Sequence, residues 1–170
     1  RMCFLPDAIL RRQAKKVGKI PPMMKNFTRD MIETMYAEQG VGLAANQVGS
    51  LQKVAVIQLP DWEEAIVLIN PEIVEREGER EVEEGCLSIP GYRGTVNRSV
   101  EVRVRALDRS GNPVRVKAVD NLLAQALEHE IDHLNGILYI DHLVSRDAMW
   151  KLSDEHASED SEAAVGASSD

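Results

Sequence analysis

Two histidines four residues apart, with a glutamate beside the first, are the residues of this chain best suited to chemistry: His129-Glu130-Ile131-Asp132-His133. On a helix this spacing puts both imidazoles on one face, one turn apart, where they can share a metal ion. Glu130 is placed to reach a water on that ion without binding the ion itself. A divalent ion lowers the pKa of bound water from about 16 toward about 7, so such a site makes hydroxide at neutral pH. The plainer alternative is a polar pair on an ordinary helix face. Against it stand Leu122, Leu123, Ala126, Leu127, Ile131 and Leu134, which predict a buried side and a histidine pair facing the interior.

A catalytic ion needs a third protein ligand and one position left for water. Three completions are open. A third histidine in the H-E-x-x-H-x-x-G-x-x-H pattern would use Gly136, but Tyr139 stands where that histidine belongs and His142 is out of register. A downstream carboxylate would be Glu155, in a polar stretch with nothing to hold it against a buried metal; that reading makes a zinc peptidase. An upstream ligand would be Cys86, since a thiolate and two imidazoles leave a tetrahedral ion one open position. Taken alone, a cysteine between apolar neighbours is more often packing than ligand. A purely structural metal module would need a fourth ligand, and no unclaimed cysteine or histidine is well placed for it; His142 and His156 are given no role.

The elements that must hold these residues follow from pattern. Asp120 or Asn121 caps a helix running to about Asn135 and closed by Gly136. An earlier helix is expected from about Pro22 to Gln39, with an apolar stripe of Met24, Phe27, Met31, Ile32 and Met35 and Gly40 as its cap. Strands are predicted over Gln52 to Leu59, Ala65 to Asn70, Ile73 to Arg76 (split from the last by Pro71) and Ser99 to Leu107. Val114, Val116 and Ala118 resume the alternation of that last strand after the turn at Asp108 to Pro113, making a hairpin. Ala8 to Arg12 reads as a turn with a short helix. Strands grouped ahead of one long helix indicate an α+β domain, not a βαβ repeat.

The 170 residues suit a single domain. A net charge of -8 argues against nucleic acid as a partner, because phosphate binding needs a concentrated basic surface. Six acidic residues follow Lys151 with no Lys or Arg among them, so the excess belongs to a tail and the body is close to neutral. Residues 1–152 are read as the catalytic domain and 153–170 as an acidic, disordered tail. No apolar run is long enough for a membrane span. Arg1 ahead of Met2 suggests that the chain does not begin at the natural start, and no signal-peptide pattern opens it. With two cysteines, Cys3 and Cys86, and no disulfide framework, a reducing compartment is expected, either bacterial cytoplasm or an organelle interior.

Three blocks in this order, Gly40-Val41-Gly42-Leu43-Ala44-Ala45-Asn46-Gln47, Glu84-Gly85-Cys86-Leu87-Ser88 and His129 to His133, resemble the three signature motifs of the peptide deformylases. The likeness extends from Pro6 to about Leu143. It implies antiparallel or mixed β-sheets packed around a central helix that carries the His129–His133 run. It also implies that Cys86, His129 and His133 bind one divalent ion, Fe(II) in the cell, with Zn, Ni or Co able to replace it. Glu130 would be general base and acid, with Gln47 and the backbone N–H of Leu87 as oxyanion donors. Val41, Gly42, Glu84 and Gly85 would line the cleft and pair with substrate, an N-formylmethionyl peptide. Two departures, Glu128 where the family commonly has Gln, and Gln125, are expected to change polarity near the cleft. The acidic tail argues against docking on ribosomal RNA through a basic C-terminal helix.

Overall fold

A computed structural model describes residues 1–152; the expected tail at 153–170, with Glu155 and His156, lies outside the described residues. Helix α1 (Met24–Ala37) buries Met24, Thr28, Met31 and Met35. Its end differs in detail from expectation. The left-handed residue is Gln39 (φ 57), not Gly40. Gln39 N–H donates to Tyr36 C=O and Gly40 N–H to Met35 C=O at 2.9 Å, which satisfies the last carbonyls in a Schellman pattern. Gly40 has a close neighbour instead: a Cβ there would lie 2.7 Å from Leu87 Cδ1, so a larger residue would push that side chain aside.

Strands β1 (Gly42–Ala44), β2 (Val54–Ile57), β3 (Ile66–Glu77), β6 (Glu101–Leu107) and β7 (Pro113–Val119) form a five-stranded antiparallel sheet in the order β1-β2-β3-β6-β7. The predicted hairpin is β6–β7. The two strands expected on either side of Pro71 are one strand, β3. The reason is a local bulge: Asn70 takes φ 52, its side chain bonds both N–H and C=O of Val17 at 2.7 Å, and the register with β6 slips between Ile69 and Glu72. A proline costs little where the ladder is already interrupted.

Both faces of this sheet are covered, which explains the unbroken apolar run of β2. Val54 and Val56 pack with Met31 and Met35 of α1, while Ile57 joins Val102 and Val104 against helix α2 (Leu122–Leu134). Leu127 of α2 is fully buried, worth about 2–3 kcal/mol of transfer free energy. Leu122, expected on the buried side, is 40% exposed. Helix α2 starts where Asn121 Oδ1 accepts from Ala124 N–H and stops at Gly136 (φ 75), as the sequence predicts.

More than one sheet was expected, but pattern did not predict the strands of the second, three-stranded one. It contains β4 (Arg80–Cys86), β5 (Ile89–Arg98) and β8 (Met149–Lys151), in the order β4-β5-β8. The hairpin β4–β5 carries Cys86 to α2. The whole is an α+β fold with α2 between the two sheets.

Candidate metal centre

Helix α2 presents His129 and His133 one turn apart, and the turn between β4 and β5 brings Cys86 to them. Cys86 Sγ lies 3.2 Å from His133 Nε2, and the two Nε2 atoms are 3.2 Å apart. All three ligand atoms fall within 4.8 Å of one another. His129 donates Nδ1–H to Glu84 Oε1 at 2.6 Å, which leaves its Nε2 lone pair aimed inward. Asn46 Nδ2 donates to the His133 carbonyl and fastens the end of α2 to the segment after β1.

Inward-facing lone pairs repel unless positive charge sits among them. Burial disfavours a charged His129, yet bonds to Cys86 and Glu84 hold its pKa well above the ordinary range. His133 is pushed well below it, by burial first and then by His129. The convergence of these three atoms, one thiolate and two imidazoles, is a donor set that suits a divalent transition metal. Among the described residues this group offers three ligand atoms, which would leave a tetrahedral ion one open position.

Glu130 is buried beside the pair, with Oε1 3.9 Å from His129 Nε2 and Oε2 without a hydrogen-bond partner. Burial pushes its carboxyl up to about 7, against the lowering influence of His129. The carboxylate fits there because residue 42 is glycine: a Cβ on Gly42 would lie 2.7 Å from Glu130 Oε1. Gln47 is equally fixed. Its Oε1 accepts from Ala44 N–H at 3.0 Å, which turns Nε2 toward Ser88 Oγ at 3.1 Å and Cys86 Sγ at 3.6 Å.

A cleft of about 650 Å³ opens over these groups. Val41, Gly42, Gln47, Gly85, Cys86, Leu87, His129 and Glu130 line it, as does Glu84, whose side chain reaches behind His129. Leu122 and Gln125 also line it, so the exposed Leu122 borders the cleft. Glu128 does not belong to this region. It accepts from Ser99 N–H at 2.6 Å and pairs with Arg76, which corrects the expectation that it alters polarity near the cleft.

Sequence reasoning missed the support behind the pair. Arg98 bridges Glu84 (2.6 and 2.7 Å) and Asp132 (2.6 Å), and Asp132 also pairs with His142 at 3.0 Å. Burial would raise the Glu84 carboxyl, but hydrogen bonds from Arg98 and His129 hold it at about 2. Asp132 lies inside the histidine run and was legible as a buried acid in want of a partner; nothing in the sequence pointed to Arg98. Tyr139, read only as the residue in place of a third histidine, stacks on His129 with ring centroids 6.4 Å apart.

The family model for Polypeptide deformylase matches residues 1–149. A peptide deformylase of Dehalococcoides mccartyi is 51% identical over 152 residues, covering 89% of this chain and 90% of that protein. Among solved structures, a peptide deformylase from Legionella pneumophila is similar with a TM-score of 0.82 at 41% identity, over 100% of this chain and 98% of the other. One from Synechococcus elongatus, in complex with actinonin, gives 0.83 at 41% identity over 86% and 81%.

Proposed function

The chain belongs to the polypeptide deformylase family, hydrolases of protein synthesis, and on that premise we propose that it takes the formyl group off formyl-methionyl nascent polypeptides and releases formate. One observation carries the reading: three convergent ligand atoms beside a buried carboxylate with a free oxygen, with Cys86, His129 and Glu130 on the wall of one cleft and His133 buried behind it. Cys86, His129 and His133 hold one divalent ion, Fe(II) in the cell, with Zn, Ni or Co able to replace it. When bound, that ion supplies Lewis acidity, polarising a carbonyl and acidifying water.

The chain's own groups do the rest. Glu130 takes the proton from the attacking water and delivers it to the departing amine. The push of its pKa toward neutrality suits a group that must both accept and give a proton at physiological pH. The Nε2–H of Gln47 and the N–H of Leu87 donate to the oxygen on which negative charge collects; one such donor is worth about 100-fold in rate. Glu84 keeps His129 in the tautomer and orientation that ligation needs. Val41, Gly42, Glu84 and Gly85 wall the substrate, and residues 1–152 make up the catalytic domain.

The decisive experiment is anaerobic hydrolysis of a formyl-Met tripeptide by Fe(II)-loaded protein, alongside Glu130→Gln. The parent releases formate; the variant keeps its metal and loses about 100- to 10,000-fold in kcat. A folded, metal-loaded parent that releases no formate would overturn the proposal.

A further inference from the structure

Strand β4 has a strand neighbour on one side only, so its other edge offers backbone groups for an extended peptide to pair with. That edge is not open along its length. Gln125, one of the residues that departs from the family pattern, donates its Nε2–H to the Glu83 carbonyl at 2.9 Å. Further back, Arg80 reaches the Asn121 carbonyl at 2.7 Å and Asp120 Oδ1 at 3.3 Å. The start of α2 is thereby laid along the first half of β4. At the other end, the β4–β5 register skips Gly85, which lines the cleft beside Leu87.

We propose that Gln125 sets the length of substrate read by this enzyme: a bound peptide pairs with β4 at Gly85 and leaves the sheet before Glu83, whose carbonyl Gln125 already occupies. The inference rests on the deformylase reading of the cleft and names a specificity residue within it. A carboxamide in this place is a side-chain substitute for the next backbone donor of the substrate. A longer peptide gains little by extending, because the Gln125 side chain stands where its next donor would approach the Glu83 carbonyl. The enzyme then reads only the first few residues of a chain and is indifferent to the residues beyond them. That suits an activity that must serve nascent polypeptides of any sequence.

The test compares kcat/KM for a formyl-Met tripeptide and a formyl-Met pentapeptide, with parent enzyme, Gln125→Leu and Gln125→Ala. In the parent the two substrates are used about equally. In both variants the pentapeptide gains about 5-fold over the tripeptide, the worth of one net hydrogen bond, and the gain lies in KM. N-methylation of the pentapeptide amide that would face Glu83 abolishes the gain. A ratio unmoved by either substitution, or a gain that survives N-methylation, overturns the inference while leaving the deformylase reading in place. No formate from the tripeptide with the parent overturns both.

Discussion

Two carboxylates on α2, Glu130 and Asp132, stand two residues apart, both almost fully buried, and meet opposite treatment. Asp132 faces away from the cleft and is bonded to Arg98 and His142. Glu130 faces the cleft, keeps one oxygen without a partner and is pushed up to about 7, mainly by burial. Buried polar groups are normally satisfied, so an exception beside a candidate metal-ligand cluster is what supports the role proposed for Glu130. The contrast separates a supporting side, where every charge is paired, from a working side, where one is left free to exchange a proton.

The largest break in that contrast comes from the supporting side. Arg98→Met removes the cation shared by two buried carboxylates, leaving Glu84 with His129 alone and Asp132 with His142 alone, and should destabilise the protein by about 3–5 kcal/mol, read by denaturant unfolding. A smaller effect belongs to the working side. Gly42→Ala presses a Cβ onto Glu130 and should lower kcat by about 100-fold through misplacement, with the unfolding midpoint shifted far less than in Arg98→Met.

Acid provides a sharper probe of the pairing itself. The Glu84 carboxyl is held down at about 2, so its contribution to stability is complete above about pH 4.5 and is lost as the pH falls through about 2. Thermal unfolding followed from pH 6 to pH 2 should show this loss in the parent and a smaller loss in Arg98→Met, where the Arg98 hydrogen bonds that hold the Glu84 carboxyl down are gone. The smallest effect is a control. Arg103→Ala removes an exposed pair with Glu75 at 3.6 Å and should change stability by less than about 1 kcal/mol.

Legibility in the sequence divides along the same line. The histidine run, the cap at Asn121, the stop at Gly136 and the β6–β7 hairpin are local patterns, readable because spacing alone decides them. Hairpin β4–β5 was not legible. Its strand Arg80–Cys86 is rich in charge, and Glu84 looks like a solvated residue until Arg98 and His129 are brought to it by tertiary structure. Strand β3 was wrongly divided at Pro71 because the bulge that tolerates the proline depends on Asn70 meeting Val17, a contact of long sequence separation. Leu122 was misplaced because the first residue of α2 borders the cleft, and Glu128 because its partners Ser99 and Arg76 are distant in sequence.

The Glu84–Arg98–Asp132 bridge has a consequence for metal loading. Arg98 stands on β5, Glu84 on the strand that ends in Cys86, and Asp132 next to His133. The bridge is a clamp across the two halves of the ligand set, locked by charge before any ion arrives. An ion held there would meet ligands already braced by charge pairs, so the spacing of the candidate ligand set would be imposed by the protein and not by the ion.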